Sequence, residues 1–176
     1  MLSIYLDPSY EGISIRPVSI PRDSDDLTTM LKRIAFHPLW SLQPQESAIE
    51  NSYIVLLRDP TYSAFILSYH ETTLFMLEIL PMSHTEFYQH YQGEPYDYFL
   101  QINLSIDASL ADKAVRALRA SLEGIAAHPE IRRLIFPVYF SEPASLLREI
   151  LEKAGFVILK DKAEPALPVI YAYLLK

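Results

Sequence analysis

The 176-residue chain contains no cysteine and only 4 glycines. The absence of cysteine excludes disulfide bonds, thiolate metal ligands and a cysteine nucleophile. The shortage of glycine matters because glycine allows a backbone to approach a phosphate group closely. No glycine lies between Gly93 and Gly124, although residues 102–120 read as a strand that runs directly into a helix. Such junctions carry a glycine-rich phosphate loop in many α/β proteins, and this junction lacks the glycines.

Long apolar runs and an excess of positive charge are also missing. No apolar run approaches the roughly 20 residues that a helix needs to span a bilayer, and residues 1–7 are too short for a secretory signal. The net charge of -7 argues against nucleic acid as a partner, because phosphate backbones bind to cationic surfaces. With 50% hydrophobic and 21% charged residues, the chain is expected to form one soluble, cytoplasmic domain over residues 1–176.

The spacing of apolar residues and turn residues predicts alternating strands and helices. Pro17 indicates that the first strand lies at a sheet edge or ends at this residue, and the residues from His70 to Thr72 predict a hairpin turn. Ser109 and Asp112 resemble a capping box at the start of a helix, and Gly155 suits the end of another. The order is typical of a mixed α/β fold. The expected elements are strand 12–18, a helix from Ser24, helix 45–58, strands 62–69 and 73–80, a short helix over 83–91, strand 96–106, helix 109–127, strand 133–140, helix 141–155, and strands 156–160 and 168–175.

Strand 96–106 carries polar residues on one of its faces. Gln101, Asn103 and Ser105 alternate with the apolar residues that surround them and therefore share one side of the strand. They either line a cleft or form the wetter face of an antiparallel strand. Histidine does not offer a metal site in the neighbouring segment, since His84 and His90 are six residues apart and do not share a helix face.

Several segments resemble the GCN5-related N-acetyltransferases. ISIRPV at residues 13–18, which precedes an aspartate-rich helix start, and EKAGF at residues 152–156 resemble that superfamily. Within it, the chain is most similar to the siderophore-biosynthesis acetyltransferases. This subgroup likeness rests on Trp40 in the loop after the first helix and on three further segments, which are LFMLEIL at residues 74–80, YQHYQGEPYDYFLQINL at residues 88–104 and AAHPEIRRLIF at residues 126–136.

The resemblance implies a fold, a cofactor and a set of site residues. The fold is a mostly antiparallel central sheet flanked by helices, and the co-substrate is acyl-CoA or acetyl-CoA. The acceptor is a small-molecule amine or hydroxylamine, to which the acyl group passes directly. Glu78 or Glu142 would act as the base, Gln101 would orient the substrate, and Trp40 would contact it or serve as a core or lid anchor. The implied cofactor-binding residues are Asn103, Ser105, Ala108, Ser109 and Leu110.

The sequence departs from the resembled family at three places. One follows strand 133–140, where Ser141 and Ala144 stand near the positions of the family's acidic residue and asparagine, and a shift of one residue would place Glu142 in the acidic role. Residues 106–114, which read IDASLADKA, stand where the family has its glycine-containing phosphate loop, and Asp107 and Asp112 would repel a pyrophosphate. Gln101 stands where the family has a histidine, and glutamine cannot act as a base near neutral pH. These departures predict weakened activity, with a non-catalytic binding or partner module that does not use acyl-CoA as the alternative. A third interpretation is a homo-oligomer that uses the tyrosine-rich segment 88–98 as its interface.

Overall fold

The computed structural model of the protein describes residues 2–34, 51, 53–85, 94–138, 142–160 and 169–175. Within that part of the chain the mixed α/β fold predicted from the sequence is confirmed. No helix of these residues is long and apolar enough to cross a membrane. The strands are β1 (Ile13–Pro17), β2 (Ser63–Tyr69), β3 (Thr72–Pro81), β4 (Asp97–Leu104), β5 (Arg133–Val138), β6 (Val157–Lys160) and β7 (Val169–Leu174). The helices are α1 (Ser24–Ile34), α2 (Ala111–Ile125) and α3 (Glu142–Ala154), with short 3-10 turns at Met82–His84 and Ala108–Leu110.

The strands form one seven-stranded sheet in the order β1-β2-β3-β4-β5-β7-β6. Every neighbouring pair is antiparallel except β4 and β5, which run parallel. The strand β1 lies at one edge of the sheet, as Pro17 predicts. The residues from His70 to Thr72 connect β2 to β3 in the expected hairpin, where His70 adopts a positive φ of 51°.

Helices cover both faces of the sheet. Apolar residues of β4 such as Leu100 and Ile102 pack with α2 and α3, in a core that also contains Leu118 and Ile150. On the opposite face, β2 and β3 pack against α1 and the helical residues 53–56, in a core formed by Val18, Leu27, Met30, Tyr53, Tyr62, Ala64, Ile66 and Met76. The face covered by α1 is called the α1 face below. Alternation along each strand therefore assigns successive side chains to two different cores.

The two parallel strands separate after a short paired stretch. Only the residues from Asp97 to Phe99 pair with β5. Beyond that point β4 continues beside β3 as far as Leu104, while β5 continues beside β7 as far as Val138. The carboxyl ends of β4 and β5 therefore diverge. Crevices of this kind, outside the carboxyl ends of parallel strands, are where α/β proteins bind their ligands.

Two local expectations at the ends of helices have opposite outcomes. Gly155 follows α3 with φ +107°, so it ends that helix in the left-handed conformation that glycine favours. The capping box of Ser109 with Asp112 is wrong. Asp107 accepts instead from the Ser109 N–H at 2.9 Å, which forms a 3-10 turn, and α2 then begins after Leu110 without a side-chain cap. An aspartate two residues upstream competes for the same amide.

Several expected features lie wholly or partly outside the described residues. Helix 45–58 is described at residue 51 and residues 53–58, of which 51 and 53–56 are helical and 57–58 form a turn. Trp40 and His90 lie outside, as does most of the tyrosine-rich segment 88–98. Helix 83–91 is described as far as residue 85, where the 3-10 turn Met82–His84 occupies its start.

The segment before β1 packs across the C-terminal half of α2. The Leu2 N–H donates to the Ser63 hydroxyl at 2.9 Å, and the His128 ring bonds to the Ser3 carbonyl at 2.8 Å. Gly124 of α2 lies directly beneath this segment. A Cβ at position 124 would approach Ile4 Cγ2 to 2.6 Å and the Tyr5 carbonyl oxygen to 2.9 Å. The absence of a side chain at position 124 therefore allows this close contact.

Replacing Gly124 with alanine should destabilise the protein by about 1–3 kcal/mol, the usual cost of overpacking. In an open helix the same change stabilises by roughly 1 kcal/mol, so the expected sign is opposite to helix propensity. Urea unfolding measures the free energy. Arg116→Ala, on an exposed position of α2, is the matched control and should change stability by less than about 0.5 kcal/mol. A Gly124→Ala protein more stable than the wild type would show that the two segments do not pack closely.

Candidate functional site

A group of polar side chains lies on the α1 face near the point where β4 and β5 separate. Glu78 of β3 stands directly opposite Gln101 of β4, and Asn103 lies two residues further along the same face. Tyr53 and Tyr62 approach the carboxylate of Glu78 from the core beneath α1. These five residues are called the polar cluster.

Every oxygen of the Glu78 carboxylate accepts a hydrogen bond. Oε1 accepts from the hydroxyl of Tyr62 at 2.5 Å and from that of Tyr53 at 3.2 Å. Oε2 accepts from Asn103 Nδ2 at 2.7 Å. Asn103 Oδ1 in turn accepts from Gln101 Nε2 at 3.2 Å. The chain of contacts thus extends from a buried carboxylate to Gln101, which is only half buried.

Burial governs the ionisation of this cluster. Glu78 is only 8% exposed, and loss of hydration raises the pKa of its carboxyl above the ordinary value, although its three hydrogen bonds act in the opposite direction. Burial also raises the pKa of Tyr53 and of Tyr62 far above that of an ordinary tyrosine, and the charge of Glu78 adds to the effect. Both hydroxyls therefore stay protonated and act as donors, while Glu78 is the titrating member of the group.

The raised pKa of Glu78 predicts a pH-dependent contribution to stability. In the unfolded chain the carboxyl titrates near about 4.3, so above that pH the folded protein binds more protons than the unfolded protein. The free energy of unfolding should therefore fall as the pH rises from about 4.3 through the folded pKa. Glu78→Gln lacks this titration, so wild-type stability minus variant stability should decrease over that range in urea titrations. A difference that increases with pH would contradict the raised pKa.

The structure brings together three of the residues singled out in the sequence. Glu78, Gln101 and Asn103 share the polar cluster, so Glu78 is hydrogen-bonded and buried rather than a surface carboxylate. Sequence reasoning missed Tyr53 and Tyr62. The available signal was Glu78 itself, because a glutamate within an apolar strand needs polar partners when the strand is buried. Nothing in the spacing of the tyrosines identifies them as those partners.

The backbone amides of the turn between β4 and α2 already donate hydrogen bonds within the protein. The Ser109 N–H and hydroxyl both bond to the Asp107 carboxylate, at 2.9 and 2.5 Å. The Leu110 N–H donates to the Asp107 carbonyl at 3.3 Å, and the Ala111 N–H donates to the Ala108 carbonyl. Three successive amides are thus used within the turn. The Ser105 N–H is also engaged, because it donates to the Leu74 carbonyl at 2.9 Å.

The structure does not test the roles predicted for Glu142 and Trp40. Glu142 is the first residue of α3, which follows the diverging end of β5, and its role as a base stays a prediction. Trp40 lies outside the described residues, so its substrate role also stays a prediction. Within the described ranges, no group of three or more histidine, aspartate or glutamate side chains is placed to hold a metal ion.

Structural comparison finds the same architecture in solved proteins. An uncharacterized protein from Bacillus halodurans superimposes with a TM-score of 0.74 at 13% identity, over 92% of this chain and 83% of that protein. The aminoglycoside acetyltransferase AAC(6')-Ib in complex with coenzyme A gives a TM-score of 0.69 at 18% identity, over 92% and 94% of the two chains. The ribosomal L7/L12 alpha-N-protein acetyltransferase RimL, in complex with coenzyme A, gives 0.65 at 13% identity, over 97% and 98%.

The likeness lies in structure rather than in sequence. No protein-family model matches the chain, and no curated protein matches it significantly. The structural matches nevertheless cover more than nine tenths of this chain, and they share the mixed sheet flanked by helices. The chain therefore has the fold of the GCN5-related N-acetyltransferases, as its sequence segments predict.

Proposed function

We propose that this protein is an N-acyltransferase that transfers an acyl group from acyl-CoA to a small-molecule amine or hydroxylamine of the siderophore type, with weakened activity. The observation that carries the proposal is the position of Glu78. Its carboxyl has a raised pKa and lies on the α1 face near the place where β4 and β5 diverge. Structural neighbours crystallised with coenzyme A or acetyl-CoA support the choice of donor, and an aminoglycoside complex supports a small-molecule acceptor.

The polar cluster provides the groups that direct acyl transfer requires. The acceptor nitrogen attacks the thioester carbonyl carbon, the C–S bond breaks, and the leaving thiolate of coenzyme A takes up a proton from water, to which Glu78 later returns the proton that the nitrogen lost. Glu78 takes the proton released by the acceptor nitrogen, since burial raises its pKa and makes it a stronger base than an ordinary carboxylate. Gln101 orients the acceptor. Glu142 is the second candidate for the base because it is the first residue of α3, the helix that follows β5 in the chain.

The proposed cofactor contacts explain why activity would be weak. Asn103 lies in β4, and Ser105 follows the last residue of that strand. The turn before α2 consists of Ala108, Ser109 and Leu110. The Asp107 carboxylate already holds the Ser109 amide. A phosphate group that approached this turn would face a negative charge and would have to displace an existing hydrogen bond. Binding of acyl-CoA would therefore depend mainly on contacts with its uncharged pantetheine arm.

The second candidate function is a binding or partner module that does not use acyl-CoA. It is favoured by one specific observation, which is the engagement of the Ser109, Leu110 and Ala111 amides within the turn. In this alternative the crevice between β4 and β5 accepts another ligand, and the polar cluster positions that ligand without acyl transfer.

Calorimetric titration with acetyl-CoA and longer acyl-CoAs distinguishes the two functions. The transferase should bind at least one acyl-CoA in the micromolar to low millimolar range and should release free thiol when amines and hydroxylamines are added. The absence of binding at millimolar acyl-CoA would exclude the transferase and leave the binding module. Glu71→Gln, an exposed change in the turn between β2 and β3, is a suitable control and should leave acyl-CoA binding unchanged.

A further inference from the structure

Two amide side chains extend the hydrogen bonds of Glu78 along β4 to the half-buried Gln101. Asn103 Nδ2 donates to Glu78 Oε2 at 2.7 Å, and Gln101 Nε2 donates to Asn103 Oδ1 at 3.2 Å. The exposure of the residues increases along this chain, from Asn103 at 1% to the half-buried Gln101. The amide chain, meaning Asn103 and Gln101 together, therefore begins in the core and ends near the diverging strands.

The direction of both hydrogen bonds follows from the chemistry of the first acceptor. An ionised carboxylate only accepts hydrogen bonds, so Asn103 must turn its NH₂ group toward Glu78. The Asn103 carbonyl oxygen then faces Gln101, so Gln101 must donate a hydrogen bond to it from its own NH₂ group. The Gln101 carbonyl oxygen is left over. Among the described residues, none donates a hydrogen bond to this oxygen.

We infer that Glu78 fixes the polarity of the amide chain so that Gln101 presents a carbonyl oxygen to the ligand. Gln101 follows the last residues at which β4 pairs with β5, and it stands on the same face as Glu78. A neutral carbonyl acceptor at this position selects a ligand that donates an N–H group. It disfavours a ligand of the same size that only accepts, because two facing oxygens would lack a proton between them.

This inference deepens the proposed function and rests on it for the identity of the ligand. A primary amine or a hydroxylamine offers the N–H donors that the Gln101 carbonyl needs, while the nitrogen lone pair remains available to attack the thioester. Glu78 then acts on substrate choice as a positioning residue through Asn103 and Gln101, in addition to its proposed role as base. The polarity of the amide chain is a property of the free protein and is measurable without acyl-CoA.

Nuclear magnetic resonance on the ¹⁵N,¹³C-labelled full chain reads this polarity directly. At a pH above the folded pKa of Glu78, where the carboxylate is ionised and accepts from Asn103, the wild type should show scalar coupling across the hydrogen bond from Gln101 Nε2 to the Asn103 side-chain carbonyl. In Glu78→Gln the new NH₂ group can face Asn103, since the tyrosine hydroxyls still need its oxygen. The coupling should then reverse, from Asn103 Nδ2 to the Gln101 carbonyl. Glu71→Gln, an exposed change in the same hairpin, should keep the wild-type coupling.

Binding of two isosteric probes tests the consequence for the ligand. O-Propylhydroxylamine, the amine probe, is uncharged at neutral pH and donates N–H groups, while methyl propyl ether, which carries a methyl group in place of the NH₂ group, only accepts, and shift titrations give the dissociation constant of each. The wild type should prefer the amine, and Glu78→Gln should reduce this preference about tenfold, the value of one hydrogen bond to a polar group. Because Glu78→Gln also removes a charge, the same change is made in a Gln101→Leu background, where its effect on the preference should largely disappear.

The outcomes separate the inference from the proposed function. Reversed coupling in Glu78→Gln, together with an effect on probe preference that depends on Gln101, would support the inference. Unchanged coupling, or an equal loss of amine preference in the Gln101→Leu background, would overturn it and leave acyl-CoA binding unaffected. Failure of the proposed function would instead appear as the absence of acyl-CoA binding in calorimetry, with the coupling pattern intact.

Discussion

Replacing Glu78 with glutamine is expected to lower kcat for acyl transfer about 10²–10⁴-fold, the usual effect of removing a general base. Glutamine keeps the size of the side chain and can still accept from Tyr62, but it cannot take a proton from the acceptor nitrogen. The wild-type value of kcat/KM should rise with pH as Glu78 ionises through its raised pKa. That rise should be absent in the variant. Steady-state rates at a series of pH values, with saturating acetyl-CoA, make both comparisons.

Two further variants show whether the lower kcat of Glu78→Gln results from the loss of a general base. Glu71→Gln removes an exposed carboxylate from the turn next to β3 and should leave kcat within about twofold of the wild type. Gln101→Leu should mainly raise KM for the amine, since Gln101 orients the acceptor and does not exchange a proton with it. A Glu78→Gln enzyme with nearly wild-type kcat and the same pH profile would transfer the role of base to another residue, of which Glu142 is the first to examine.

Replacing Arg133 with methionine should destabilise the protein by about 3–5 kcal/mol, because it leaves a buried charge without its partner. The Asp97 side chain is 2% exposed and accepts from Arg133 through both oxygens, at 2.8 and 2.7 Å. It also accepts from the Glu94 N–H at 2.7 Å. This pair joins β4 to β5 at the start of their short parallel stretch. Urea unfolding at neutral pH measures the loss of free energy.

The neighbouring arginine provides a matched control. Arg132 lies over the ring of Tyr96 at 4.3 Å and is exposed, so Arg132→Met should cost about 1 kcal/mol or less. Because the pair holds β4 and β5 together at the start of the parallel stretch that precedes their divergence, Arg133→Met should also weaken acetyl-CoA binding in the folded fraction. Equal stability of the two methionine variants would show that the Asp97–Arg133 pair does not anchor the parallel strands.

The sequence predicts most of the fold because its apolar residues recur with the period of a strand or a helix. Along the strands, successive side chains enter different cores on the two faces of the sheet. The polar and apolar positions of β4 and the helical spacing in α2 are direct consequences of that arrangement. The ends of the elements were less predictable, and α2 begins two residues later than expected. Asp107 determines that boundary through a local hydrogen bond to Ser109, and several polar residues in the same stretch offered competing caps.

The candidate site was predictable in part for a different reason. Gln101 and Asn103 stand out within one strand, and Glu78 stands out within another. Their meeting depends on the register between β3 and β4, which is fixed by packing along the whole hairpin. Tyr53 and Tyr62 reach Glu78 through the packing of a helix on the sheet, and periodicity carries no information about such contacts. The divergence of β4 from β5 likewise depends on which partner each strand keeps.

The most direct test of the acyltransferase account is a crystal structure of the protein soaked with acetyl-CoA. The account predicts that the thioester lies in the crevice between β4 and β5, with its carbonyl carbon within reach of an acceptor held between Gln101 and Glu78. The phosphate groups should lie away from Asp107, whose carboxylate already holds the Ser109 amide. Acetyl-CoA bound elsewhere on the protein, or a crevice that stays closed to acetyl-CoA at millimolar concentration, would contradict the account.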